Sequence, residues 1–187
     1  MSNGRVGTNP SDLTTHREDV ESLPRSTGAG LAILRIALGV LWVQNAGWKV
    51  PPDFGQAGDR GLYFWASQAV EYPVFAPYSW FVENVFLPQI ALVGWAVLAT
   101  EVALGAFLVI GLATRFWAAV GIMQTGAIAL SVLNAPHEWH WGYYLMGIGH
   151  LVLLLSAAGR TWGIDGLLRP AWHRSPGLVA RMLTVMS

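Results

Sequence analysis

Residues 88–111 read PQIALVGWAVLATEVALGAFLVIG, an apolar run that contains a single charged residue, Glu101. A transmembrane helix needs about 20 predominantly apolar residues to cross the hydrocarbon core of a bilayer. This run reaches that length. It therefore predicts a membrane-spanning helix and decides the class of fold.

Three further apolar stretches, residues 29–48, 115–133 and 141–158, support the same class. The whole chain is 53% hydrophobic and 12% charged, about half of the ~25% charged share that is usual in soluble domains. We predict an all-α membrane protein, a four-transmembrane-helix bundle over residues 29–169. Residues 1–28 are predicted to be a polar, disordered cytoplasmic tail, and residues 170–187 a second cytoplasmic tail.

The orientation of the bundle is predicted from its basic residues. Lysine and arginine are enriched in the cytoplasmic segments of membrane proteins. The N-terminal tail, the 112–115 turn and the segment after the fourth predicted span hold eight arginines, whereas the opposite side holds only Lys49 and Arg60. The eight are Arg5, Arg17, Arg25, Arg115, Arg160, Arg169, Arg174 and Arg181. Both termini are therefore expected in the cytoplasm.

The outer loop, residues 50–87, is long and rich in aromatic residues. Its segments 61–70 and 78–86 each suit an amphipathic helix. Such helices commonly lie in the membrane interface, with their apolar face against the lipid. We therefore expect two interfacial helices that do not cross the bilayer.

Each predicted span carries one strongly polar residue within its apolar run. They are Arg35, Glu101, Gln124 and His150. From the helical rise of ~1.5 Å per residue, these four side chains should lie within a band of about 6 Å in depth. Each also has a glycine about one helical turn away, where a small residue permits close helix packing. These glycines are Gly39, Gly105, Gly121 and Gly147.

Two interpretations of this polar layer stay open at the sequence level. In the structural one, Arg35 and Glu101 form a buried ion pair that fixes the helix register. In the functional one, the layer binds a ligand or handles protons, because intramembrane ionisable residues commonly mark such sites. An Arg35–Glu101 pair is expected in either case.

Two pairs of outer residues are weaker candidates. Trp48 and Lys49 suit either helix capping with an outward-reaching lysine or contact with a headgroup or substrate. His137 and His140 have a spacing that metal sites also use, but a lone pair beside tryptophans is more typical of an interfacial loop. We therefore predict no metal site.

Residue counts exclude several other functions. The chain contains no cysteine, so it offers no ligands for an Fe–S cluster and no thiolate nucleophile. Only His150 lies within a predicted span, and a membrane b-type haem usually needs two axial histidines, so no haem is expected. The formal net charge is zero, which argues against nucleic-acid binding.

The chain resembles the DoxX/DoxD family of small bacterial membrane proteins. The resemblance covers roughly residues 31–169, and the long outer loop is most similar to the DoxD branch. It rests on the order and spacing of short motifs: LRIALG at 34–39, GWK at 47–49, Glu101 with Gly105, IGLATR at 110–115, and AGRTWGID at 158–165 followed by Leu168-Arg169.

This resemblance implies a four-helix protein of the bacterial inner membrane that takes part in redox chemistry. DoxD is the membrane subunit of a thiosulfate:quinone oxidoreductase and works with a second subunit. A quinone is then the expected ligand, and the sulfur step is expected on the partner chain. Two alternatives stay open, a non-catalytic membrane anchor for redox enzymes and, with less support, a small-solute transporter. A homo-oligomer is compatible with the sequence.

Overall fold

The chain is described by a computed structural model over residues 25–175 and 177–187. Within these residues there is no β-strand. The helices are Arg25–Ala46 (α1), Gly61–Glu71 (α2), Ala76–Phe81 (α3), Ile90–Ile110 (α4), Thr114–Val132 (α5), Trp141–Leu155 (α6), Ile164–Arg174 (α7) and Leu178–Met186 (α8). The all-α prediction is confirmed.

Three helical segments in the described part of the chain are long and apolar enough to cross a membrane. They are Arg25–Ala46, the continuous run Ala76–Ile110, and Thr114–Val132. The fourth predicted span appears as α6, an apolar helix of 15 residues. At ~1.5 Å per residue it is about 22 Å long, shorter than the ~30 Å hydrocarbon core.

The outer loop differs from its prediction in its second helix. The first predicted helix, residues 61–70, is present as α2, but residues 78–86 do not form a separate element. Helix α3 continues through a π-helical turn, Val82–Phe86, and a 3-10 turn, Leu87–Gln89, directly into α4. Pro88 lies within this irregular stretch, where its missing N–H removes a helical hydrogen bond. The irregular turns mark that disruption without ending the helix.

Two tightly packed helix pairs form the bundle. In the α1–α4 pair, a Cβ added at Gly39 would lie 2.8 Å from the carbonyl oxygen of Gly105, and one added at Gly105 would lie 2.8 Å from Val43. In the α5–α6 pair, a Cβ at Gly121 would collide with the ring of His150. The glycine pattern is therefore confirmed at Gly39, Gly105 and Gly121. It is wrong at Gly147, which faces open space.

Both predicted tails contain helix. Residues 25–28 belong to the first turn of α1, and the expected disorder of residues 1–24 lies outside the described residues. The second tail, residues 170–187, contains the end of α7 and the whole of α8. These helices contact each other, and α8 also contacts α5.

Candidate functional site

A buried ion pair joins the segment that follows α1 to the middle of α4. The ammonium nitrogen of Lys49 lies 2.9 Å from Oε1 of Glu101, and both side chains are almost fully buried. The Nε2 amide of Gln124 donates to the same Oε1 at 3.1 Å. Two polar groups from separate parts of the chain therefore converge on one oxygen of the Glu101 carboxylate.

The burial of Lys49 follows from the loop after α1. Phe54 is fully buried, and its ring lies against Gly94 on α4, where a Cβ would come within 2.6 Å of the ring. The backbone N–H of Leu62 donates to the Lys49 carbonyl at 3.4 Å. The ammonium also lies 3.9 Å from the centre of the Trp48 ring, a cation–π contact that strengthens when desolvated. The loop thus folds Lys49 back into the bundle.

This geometry corrects two expectations. Lys49 does not extend outward to the membrane surface, because the loop packs it against Glu101. Arg35 does not pair with Glu101, because its guanidinium is bonded to backbone carbonyls at the end of α4; Lys49 pairs with the carboxylate instead.

A cavity of about 180 Å³ opens beside this cluster. Lys49, Glu101 and Gln124 provide its polar wall, and most of the remaining surface is apolar. Its aromatic lining comes from Trp48, Trp65, Tyr78, Phe81 and Phe86. A mostly apolar pocket with a few convergent polar groups is the usual form of a small-molecule site.

The second oxygen of Glu101, Oε2, is buried and has no hydrogen-bond partner among the described residues. An unsatisfied buried carboxylate oxygen is costly, so such groups commonly indicate a missing partner. Glu101 lines the cavity. A ligand whose O–H or N–H group reached Oε2 would supply the donor that the described residues do not provide.

Sequence reasoning missed Tyr78 and Ser131 on the opposite wall. The Tyr78 hydroxyl lies 3.1 Å from Oγ of Ser131 and donates to the carbonyl oxygen of Ala127 at 2.9 Å. These contacts attach α3, the beginning of the continuous helical run Ala76–Ile110, to α5. A tyrosine within an aromatic-rich loop gave no signal for this role, since the partner lies about fifty positions further along the chain.

Arg35 lies at the other end of the bundle, away from the cavity. Its Nη1 donates to the carbonyl oxygens of Leu108 at 2.8 Å and Val109 at 3.2 Å, and its Nη2 donates to that of Trp162 at 2.9 Å. The last carbonyls of a helix lack intrahelical partners, and Arg35 satisfies two of those at the end of α4. Arg35 therefore occupies a structural position.

His150 is also separate from the cavity. Its Nε2 accepts a hydrogen bond from the indole N–H of Trp42 at 2.9 Å, and its Nδ1 lies 2.7 Å from the carbonyl oxygen of Met146. Both contacts are satisfied at once by the neutral tautomer with the proton on Nδ1. The predicted single polar layer is therefore wrong, because only Glu101 and Gln124 of its four members meet.

His137 and His140 lie exposed in the turn before α6. Neither the turn nor any other part of the described chain groups three or more histidine, aspartate or glutamate side chains in a way that suits a metal ion. The neighbouring Glu138 instead accepts a hydrogen bond from the Tyr143 hydroxyl at 2.8 Å.

Comparison with known proteins agrees with the motifs. No solved structure gives a significant match to this chain. A protein-family model described as "TQO small subunit DoxD" matches residues 63–182, more than half of the chain. That range contains Glu101 and Gln124 and most of the cavity wall, although it begins after Lys49. The chain therefore belongs to the DoxD family.

Proposed function

We propose that this protein is the membrane subunit of a thiosulfate:quinone oxidoreductase-type complex and that its cavity binds a quinone headgroup. The main support for the proposal is Oε2 of Glu101, which is buried and has no hydrogen-bond partner among the described residues. Glu101 and its partner Lys49 both line a cavity with aromatic walls. Membership of the DoxD family supports a quinone as the electron acceptor in this proposal.

The polar wall suits both redox states of a quinone. A quinone carbonyl accepts hydrogen bonds, and the Lys49 ammonium has donors beyond the one directed at Glu101. A quinol hydroxyl donates, and Oε2 of Glu101 is an acceptor without a partner. The flat aromatic walls offer stacking surfaces for the ring.

The volume limits which part of the ligand enters. Sites for drug-sized molecules usually span about 300–1,000 Å³, whereas this cavity is about 180 Å³. We propose that it holds the headgroup ring alone, while the prenyl tail extends into the lipid. Because the chain spans the apolar phase in which quinones dissolve, no aqueous route is required.

Quinone reduction needs a source of electrons, which this proposal assigns to a second subunit. Reduction of one quinone to quinol consumes two electrons and two protons. In this proposal the two electrons come from two thiosulfate ions on the partner chain, which are oxidised as a new S–S bond joins them into tetrathionate. The present chain has no cysteine to act as a sulfur nucleophile. In this proposal Glu101 carries protons: it takes up a proton and then passes it to a ring oxygen of the bound headgroup.

A matched pair of variants on α5 tests quinone binding. Ala127 lines the cavity, whereas Ala129 lines a groove on the α5–α6 surface. We expect quinone to be extracted from purified wild-type protein and from Ala129→Phe, and to be largely absent from Ala127→Phe, because the new ring fills the cavity. Quantification of quinone per mole of protein by mass spectrometry is the measurement. Partner copurification without quinone in the wild type would instead favour the membrane-anchor function.

We further propose four spans in the bacterial inner membrane, with both termini in the cytoplasm. Helix α6 would then cross a locally thinned bilayer, as short spans do. The chain has no cysteine, so a thiol reagent can react only with the single cysteine that is introduced. In intact spheroplasts, Gln56→Cys in the outer loop should react with an impermeant maleimide, while His173→Cys should react only after lysis. Reaction of His173→Cys before lysis would rule out this topology.

A further inference from the structure

Helix α8 carries an apolar stripe that the described part of the protein leaves uncovered. Leu178, Val179 and Val185 are 74%, 71% and 68% exposed, and Met182 is about half exposed between them. These positions share one side of the helix because residues three or four apart are neighbours on its surface. Leu167 on α7 is also strongly exposed. Large exposed apolar patches generally mark contact surfaces.

The stripe has a defined position because α7 and α8 are fastened to the bundle. Asp165 at the start of α7 accepts hydrogen bonds from the backbone N–H groups of Ala113 at 2.7 Å and Thr114 at 3.0 Å. Arg169 donates to the carbonyl oxygens of Thr184 at 2.9 Å and Ser187 at 3.0 Å. The first contact fixes α7 to the α4–α5 turn, and the second fixes the end of α8 to α7.

The charge around the stripe is basic. Residues 159–187 contain four arginines, Arg160, Arg169, Arg174 and Arg181, and one acidic residue, Asp165. Asp165 is fully buried and bonded to the backbone of α5, so it does not offset the surface charge. Arg174 and Arg181 are exposed. An amphipathic helix with basic residues beside an apolar stripe is the form that lies in an anionic membrane interface.

We propose that α7 and α8 form an in-plane anchor that binds the anionic phospholipids of the adjacent leaflet. The apolar stripe of α8 enters the acyl region, and Arg174 and Arg181 contact phosphate groups. Because Asp165 bonds to the first residues of α5, this anchor fixes the depth of the α4–α5 end of the bundle in the bilayer. The anchor is independent of quinone binding beside Glu101, in the middle of α4.

The depth of α8 is tested with spin labels on the cysteine-free chain in nanodiscs. A nitroxide at Met182→Cys should be more accessible to oxygen than to an aqueous nickel chelate, and one at His173→Cys should show the reverse. Strong nickel accessibility at position 182 would show that the stripe faces water. Exclusion of both reagents would show that a protein covers it. Either result would overturn the proposal.

The choice of lipid is tested by charge removal. In nanodiscs of phosphatidylcholine with phosphatidylglycerol, native mass spectrometry should show several-fold enrichment of retained phosphatidylglycerol over phosphatidylcholine. The double variant Arg174→Gln/Arg181→Gln should lose most of this enrichment. The control Arg60→Gln, an exposed arginine in the outer loop, should keep it. Equal enrichment in the two variants would contradict anionic-lipid binding by α7 and α8.

Discussion

Replacing Glu101 with glutamine is expected to lower the free energy of unfolding by about 3–5 kcal/mol, the usual cost of removing one partner from a buried ion pair. Glutamine keeps the shape of the side chain and can still bond to Gln124. It removes the negative charge that compensates Lys49, which is 1% exposed and cannot reach water without displacing the loop. The lost stability would therefore result from an uncompensated buried ammonium, and not from a void left in the packing. Thermal or denaturant unfolding in mild detergent measures it.

The pairing itself is isolated by a double-mutant cycle. Lys49→Met removes the ammonium but keeps the length and apolarity of the side chain. Alone, it leaves a buried carboxylate unpaired and should cost about as much as Glu101→Gln. The double variant Lys49→Met/Glu101→Gln should be far less destabilised than the sum, because neither charge remains. Additive losses would refute the direct pair.

Asp165→Ala is the second substitution with a large expected effect. Asp165 caps the start of α5 through two backbone N–H groups, and loss of such a cap typically costs about 0.5–2 kcal/mol. Its carboxylate also interacts electrostatically with the guanidinium of Arg35, which is fully buried. Removing charge compensation from a buried cation adds to the cost. We expect a total loss of about 3 kcal/mol or more.

The matched control for this substitution is Asp59→Ala, since Asp59 is exposed in the outer loop. It should change the unfolding free energy by less than about 0.5 kcal/mol, as is usual for surface substitutions. The same unfolding assay serves both variants. Similar small losses in the two proteins would show that Asp165 does not hold the α4–α5 end together.

The helices of the bundle were predictable because their signal is local. Hydropathy over about 20 residues identifies a spanning helix without knowledge of its neighbours, and the predicted span at 88–111 corresponds to α4 at Ile90–Ile110. The glycine spacings likewise predicted close helix packing at Gly39 and Gly105, although not that these two residues contact each other. The joining of α3 to α4 was not predictable, since an aromatic segment before Pro88 reads equally well as a separate interfacial helix.

Two of the three polar residues at the site, Glu101 and Gln124, were predictable from the sequence. Glu101 and Gln124 stand out because polar residues are rare within apolar spans. Their partner Lys49 does not, because a lysine just beyond a span usually extends to the membrane surface. The packing of Phe54 against Gly94 and the backbone hydrogen bond from Leu62 to Lys49 reveal that the loop turns inward. The convergence of Arg35 and His150 with Glu101 and Gln124 was predicted from depth along each helix. Depth does not specify which neighbouring helix a side chain faces.

Photolabelling with an azido-quinone, followed by peptide mass spectrometry, locates the quinone site directly. We expect the label to attach to the cavity walls, namely the segment around Tyr78 and the Ala127–Ser131 face of α5, and we expect excess unlabelled quinone to prevent it. Ala127→Phe should abolish this labelling, and Ala129→Phe should not. Competable labelling confined to the α5–α6 surface groove or to the surroundings of His150 would contradict a quinone site at Lys49 and Glu101.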